Sequence, residues 1–486
     1  MIAVSIDNLK SIIPAERVLT NSVDLWAYLR DSWPLSAMQC LDGLTDHSFS
    51  SQLPQAVVLP KDTKEVQAVM EWAFSCGVAV TPFGGGSGVC GGAIPSPQGI
   101  VIDTKLLNQI YELDETSLLL RVGPGCIGQE LEEWLNAHGY TLGHFPQSIT
   151  CSTVGGWVST RAAGQLSTRY GNIDSLVVGL EVVLPTGEVI RTKERSARSA
   201  AGPDLKQLFI GAEGTLGIIT EITLLVQPLP AARIPLALAF DHFERGLEAL
   251  RLMMREGLRP AVARLYDDVE TARHFYPDQT TGISKQSFLI LTFEGNAKVA
   301  QAEAEVARSV GKSLGGIELP EAQDLVRRWL KERNVVKGLP ELISAGLIVD
   351  TIEVAATWDR VGRLYRETLS AMAKIPGTLA VSAHSSHSYL QGTNLYITFV
   401  ADPQGQDLSR TELYHRLWAA AMEACLGVGG TISHHHGVGL VRLPWLKREL
   451  GSAYTVLTKV KAALDPQGIM NPGKLVAEGT VPREAV

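Results

Sequence analysis

Two rhythms of apolar positions share the stretch PQAVVLPKDTKEVQAVMEWAFSCGVAVTPFGGGSG. Val57, Val58 and Leu59 form a short apolar run, whereas Val66, Val69, Met70 and Ala73 fall at helical spacing. Asp62 or Thr63 stands where a helix cap belongs, and Gly77 closes the run. Val78, Ala79 and Val80 make a second apolar run that enters glycines. The pattern predicts a β-α-β unit. Short strands follow in GIVIDT and SLLLRVGPG, then a helix with Leu131, Trp134 and Leu135 on one face. VVGLEVVLPTGEVIRT predicts a hairpin around Pro185–Gly187, and FIGAEGTLGIITEITLLV continues the sheet.

On this pattern residues 51–228 read as one α+β domain behind a helical lead, 1–50. The composition shifts at Pro228–Pro230. Residues 229–425 mix helical segments (FERGLEALRLMMREGL, AQAEAEVARSVGKSL) with strands (SFLILTFEG, NLYITFV) and read as a second domain. Residues 426–486 contain SHHHGVG, a helix over AYTVLTKVKAALD, and DPQGIMNPGKL.

Of the 486 residues, 45% are hydrophobic and 19% charged, which suits a globular protein with a sizeable core. The formal net charge of −8 argues against nucleic acid or an anionic membrane as the main partner. No apolar run approaches the about 20 residues that span a bilayer. LISAGLIVDTI is the best, and Asp350 interrupts it. None of the six cysteines is spaced as CxxC, and MIAVSIDNLK carries charge where a leader would be apolar. Reduced thiols in the cytoplasm are the expectation.

Gly86-Ser-Gly88-Val-Cys-Gly91 fits GxGxxG after a strand, but Pro95 and Pro97 break the helix a dinucleotide fingerprint needs. The six glycines at 84, 85, 86, 88, 91 and 92 leave two readings open. One is a flexible turn; the other is a loop whose bare N–H groups let a phosphate approach. Two further stretches tip the balance. PQSITCSTVGGWVSTRAAG offers hydroxyls and small residues, and GAEGTLGIIT sets Gly214 and Gly217 inside a strand pattern. Three such stretches suggest one long ligand.

PFGGGSGV, STVGGWVSTRAAGQLSTRYGNIDSLVVGLEVVLPTGEV and EGTLGIITE together resemble the FAD-binding domain of the vanillyl-alcohol oxidase/p-cresol methylhydroxylase family of flavoenzymes. The likeness returns at the histidine loop and at DPQGIMNPGKL. It implies an α+β fold: a two-subdomain FAD-binding domain, an α+β substrate (cap) domain, and a C-terminal helical segment returning to the flavin. By match, Pro82, Gly84, Gly85, Gly86, Ser87, Gly88 and Gly91 would wrap the FAD diphosphate. Pro146, Ser148, Ser152, Thr153, Gly155, Gly156 and Ser159 would lie along the flavin and ribityl, and Gly214, Thr215 and Ile219 near the adenine half. Some members attach FAD through a histidine in the glycine loop; this loop has none, so noncovalent FAD is expected. Cys151 reads as a buried structural thiol.

Within the family the nearest likeness is to the alkyldihydroxyacetonephosphate synthase branch, in GHFPQS, PAVARLYDD and SHHHGVG. That likeness implies active-site roles for His144, Arg264, Tyr396, His434, His435 and His436. The branch has a further arginine ahead of the segment resembling DTIEVAATWDR, where this chain has KGLPELISAGLIV. A sister group, the D-2-hydroxyacid dehydrogenases, carries HxGDGNLH and GEHG motifs, and in some of them two histidines and a glutamate bind a divalent ion. Tyr389, Tyr396 and His435 occupy those positions here, a poor ligand set, so no metal is expected.

Blander readings remain beside these. Tyr396 could be a core aromatic, Arg264 could pair with Asp267 or Asp268, and His144 could be an ordinary loop residue. The resemblance implies an FAD-dependent oxidoreductase acting on a CH–OH group of a small or lipid-like substrate. Hydride would pass to flavin N5, with His436 or Tyr396 moving the proton. The alternative is an alkyl-transfer synthase of ether-lipid synthesis that uses flavin N5 as a covalent scaffold. The electron acceptor could be O2, a quinone or an electron-transfer flavoprotein, and a homodimer is compatible.

Overall fold

Asp62 accepts the Glu65 N–H at 2.9 Å and starts the helix Thr63–Cys76; Gly77, at φ 64°, ends it. Val66, Val69, Met70 and Ala73 form its buried stripe. In the computed structural model, which describes residues 6–42, 52–192, 197–276, 285–335 and 338–477, this helix links Ala56–Val58 to Val80–Phe83. Both strands pair in parallel with Ile100–Asp103. The N-terminal lead adds Val18–Leu19 as an antiparallel edge, a strand its sequence did not announce.

A second sheet has the strand order Ile110–Asp114, Leu119–Val122, Ile218–Leu225, Val177–Val183, Val189–Arg191. The expected hairpin is its last pair, closed by Gly187 N–H on the Leu184 carbonyl at 2.9 Å. These two sheets are the two halves of the first domain.

The third sheet has seven strands in the order Ile317–Glu318, Ala232–Phe240, Ser287–Gly295, Val262–Tyr266, Thr378–Ser385, Gly392–Ala401, Ile348–Thr357. One face is packed by the helices Phe243–Arg255, Ala297–Ser313, Trp358–Ala373 and Arg410–Val428. Trp33 and Leu35 join that core from the N-terminal lead. The other face carries Tyr266, Phe288 and Ile290 beneath the helix Ala322–Glu332. The chain then returns to the first sheet, where Val80 N–H donates to Ile469 and Asn471 N–H to Val80, both at 2.8 Å. No helix among the described residues is long and apolar enough to cross a membrane.

Candidate active site

Cross-strand pairing lines up one row of side chains on the third sheet. Tyr266 is opposite His384, His384 opposite Tyr396, and Tyr396 opposite Glu353. Residues directly opposite share a face, and Arg264 lies two positions before Tyr266 on that same face. The Tyr396 ring stacks on His384 at 4.9 Å. Its hydroxyl accepts from Thr351 at 3.0 Å, which leaves the phenolic hydrogen free to donate. Burial lifts the Tyr396 pKa to about 12, so the phenol stays protonated.

Arg264 pairs with neither Asp267 nor Asp268. Its Nη2 donates to His384 Nε2 at 2.7 Å, and its buried Nε has no partner. Burial, then the Arg264 charge, hold His384 down to about 4, so it is a neutral acceptor. Behind it sits Glu270, fully buried, 3.6 Å from His384 Nδ1. Arg333 stands beside Arg264: their guanidinium carbons lie 5.8 Å and 5.2 Å from the ring of Trp329. Arg333 also covers Phe145 at 4.8 Å, next to His144. Burial, with the like charges of Arg233 and Arg264, lowers its pKa to about 10. Arg333 lies four residues before KGLPELISAGLIV.

The histidine loop follows Gly429, the left-handed end (φ 77°) of the helix Arg410–Val428. Glu353 grips it from below. One carboxylate oxygen takes the His436 N–H at 2.8 Å and the other takes the His434 N–H. Arg442, with no exposed surface, lies 3.0 Å from the same carboxylate and donates to Cys90 Sγ at 2.8 Å. Against the cost of burial, Arg442 holds the Glu353 carboxyl below its usual range. Glu213 takes the N–H groups of Val438 and Gly439. A Cβ on Gly439, where φ is 53°, would fall 2.1 Å from the Cys90 carbonyl oxygen. The loop is therefore bolted to the strand Ile348–Thr357 and to the glycine loop at once.

His436 meets Tyr396 edge-on at 5.6 Å, and its Nδ1 is buried without a hydrogen-bond partner, 3.7 Å from Glu353. His435 lies parallel to Tyr396 at 6.2 Å, and its Nδ1 faces His434 Nδ1 at 2.9 Å. His434 Nε2 meets the Tyr389 hydroxyl at 2.8 Å. Burial holds His434 down to about 4, and His435 and His436 well below the usual imidazole range.

The cofactor stretches also converge. Gly85 abuts Cys151, whose carbonyl oxygen would sit 1.9 Å from an added Cβ, and Gly84 abuts the Thr153 hydroxyl in the same way. Gly214 (φ 71°) packs on Pro82, and the Ser159 carbonyl accepts from Glu213 at 2.8 Å. Gly86, Ser87 and Gly88 continue the glycine loop, and Gly91 packs on Trp33. Pro146 and Ser148 open the turn leading to Ser152, which takes the Trp157 indole N–H at 2.8 Å. Gly155 backs onto Pro124 and Gly156 donates to Thr153. His144 is fully buried 4.8 Å from Trp157, with both ring nitrogens unpartnered, and burial alone lowers it to about 3. The glycine loop and the Ser152–Gly156 stretch lie against one another, which fits the FAD that both are matched to. One expectation fails here: Cys151 is exposed rather than buried. Ile219 packs in the core of the second sheet, and the Thr215 hydroxyl donates to the Ala212 carbonyl.

Sequence reasoning missed Arg333, His384, His387, Glu353, Glu213 and Arg442. The signals were thin: an acid inside the apolar run IVDTIEVAA, and single histidines in AHSSHSY.

A parallel-stranded half, an antiparallel half and a capping sheet define a two-domain flavoprotein. Residues 54–193 match the FAD binding domain model, and residues 229–475 match the model for FAD linked oxidases, C-terminal domain. The chain belongs to the FAD-linked oxidase family, and FAD is its cofactor. It is 32% identical to the uncharacterized FAD-linked oxidoreductase YgcU of Escherichia coli K12, over 97% of this chain and 98% of that one. It is 31% identical to the alkyldihydroxyacetonephosphate synthase of Caenorhabditis elegans, over 87% of this chain and 76% of that one. The glycolate oxidase subunit GlcD of Bacillus subtilis is 27% identical over 88% and 90%. Among solved structures, an alkyldihydroxyacetonephosphate synthase superposes with a TM-score of 0.77 at 24% identity, over 96% of this chain and 85% of that one. p-Cresol methylhydroxylase gives 0.74 at 17%, over 97% and 96%. The p-cresol methylhydroxylase-type fold inferred from the motifs is the fold found.

Proposed function

We propose that this chain oxidises the CH–OH group of an anionic small molecule. The observation that carries this reading is the single wall on which Arg264, His384, Tyr396 and His436 meet, with Arg333 beside Arg264 against the Trp329 ring. Bound FAD supplies a two-electron acceptor. Arg264 and Arg333 hold the substrate's charged end, since neither guanidinium has a carboxylate bonded to it among the described residues. His384 holds Arg264 in place without neutralising it. The neutral imidazole of His436 takes the hydroxyl proton, and Glu353 stabilises the imidazolium so formed. The Tyr396 hydroxyl donates to the same substrate oxygen and fixes its position.

The second reading, alkyl transfer on an acyl-dihydroxyacetone phosphate, is favoured by the two adjacent arginines, which suit a phosphate monoester, and by the identity to the synthase. Anaerobic titration of the holoprotein tests both. Bleaching of the flavin's visible absorbance by a D-2-hydroxyacid or an alcohol supports oxidation. A spectral change that needs the acyl ester and leaves no net reduction supports transfer. Silence towards all three classes overturns both.

A further inference from the structure

The expectation of no metal rested on Tyr389, Tyr396 and His435, and the fold supplies a different set. His387 follows the strand Thr378–Ser385, where Asn394, fully buried, accepts the N–H groups of Ser386 and His387 at 2.9 Å each. This turn delivers the His387 ring to the histidine loop, with ring centres 5.0 Å from both His434 and His435. One ligand nitrogen from each of the three lies within 4.8 Å of the others. We propose that His387, His434 and His435 form a divalent transition-metal site of zinc type, with its fourth position open to the substrate.

Two features beyond proximity support a built site. First, the inner nitrogens converge: His434 Nδ1 and His435 Nδ1 face each other at 2.9 Å. Ligand nitrogens on a tetrahedral ion with bonds of about 2.0–2.1 Å stand about 3.3 Å apart, so a small opening admits the ion. Second, the outer nitrogens of two of the three rings are taken. His387 Nδ1 meets the Ser167 hydroxyl at 2.7 Å, and His434 Nε2 meets the Tyr389 hydroxyl at 2.8 Å. Tyr389 is held in turn by Asn172 Nδ2 at 3.0 Å. Outer partners of this kind orient metal-bound imidazoles. Three imidazoles with an open position is the pattern of a catalytic rather than a structural ion.

Charge decides what completes the coordination. Glu353 offers one nearby carboxylate, largely spent on Arg442. Arg264 opposes a second positive charge. An anionic fourth ligand, hydroxide or a substrate alkoxide, relieves both. The site stands without the proposed oxidation, because metal binding is measured without substrate.

The holoprotein, dialysed against chelator, is titrated with Zn2+ by calorimetry and with Co2+ by absorbance to the red of the flavin. We expect one equivalent per chain, with Co2+ bands of tetrahedral intensity. His387→Gln and His435→Ala should weaken Zn2+ binding by more than about 100-fold, the upper end of what losing an outer partner alone costs. Tyr389→Phe should weaken it by about tenfold, and His436→Ala should leave it unchanged. Retained FAD reports that each variant is folded. No saturable binding, or tight binding that survives His387→Gln in a flavin-loaded variant, overturns the site.

Discussion

Tyr396 and His436 share a pocket but not a task. Tyr396 is tied by Thr351 and stays protonated, whereas the His436 ring is neutral with a free nitrogen. Tyr396→Phe keeps the stack on His384 and removes one donor. Turnover should fall by about 10²–10⁴-fold, as expected for loss of a proton-handling group, with FAD content unchanged. Wild-type turnover in the loaded variant would sink that role. Arg333→Leu should raise KM for the anionic substrate about tenfold or more with little change in kcat, because a charge-assisted hydrogen bond present throughout is lost. A third residue reports on stability. Asp267 caps the helix Asp268–Phe275 and takes the Ala383 N–H at 2.6 Å. Burial lifts its pKa to about 7, above the about 3.9 of the unfolded chain. The folded state therefore holds the extra proton between those values, and this group's contribution falls as pH rises from about 4 to about 7. Asp267→Asn removes that slope, so its melting temperature should gain on the wild type between pH 5 and pH 8. A constant gap would disprove the shift.

At the scale of elements, legibility followed the range of the interaction. The helix Thr63–Cys76 was readable because cap, stripe and terminal glycine are local. The hairpin at Pro185–Gly187 was readable for the same reason. The row Tyr266–His384–Tyr396–Glu353 was not, because strand register across a four-strand span leaves no local trace. Nor was the Glu353–Arg442 clamp, whose members are far apart in sequence; an acid in an apolar strand is ambiguous until its cation is known. Among the resemblance-based residues, those on glycine-bound turns lie against one another, and Ile219 lies in the core of the second sheet. The clamp has a measurable cost. Glu353→Gln leaves Arg442 buried without its counter-charge and should cost about 3–5 kcal/mol in denaturant unfolding. A loss under about 1 kcal/mol would mean that the charge is satisfied elsewhere.

Across the whole molecule, the two loops that build the site come from opposite ends of the chain and touch at Cys90. Leu440 N–H donates to the Cys90 carbonyl at 2.7 Å, Gly439 packs on the same carbonyl, and Arg442 reaches its sulfur. The glycine loop that ends there is matched to the FAD diphosphate. Whatever orders that loop lowers the entropic cost of ordering the histidines, and the effect runs both ways. Stripping the flavin should therefore expose residues 434–442 to protease and hydrogen exchange before the outer strands of the third sheet, with FAD restoring protection. Equal protection in both forms would sever the link. By reciprocity, an anion bound in the substrate pocket should tighten FAD binding. A chain without its substrate would thus hold its cofactor least tightly, and substrate supply would be felt as the fraction of chains loaded with FAD.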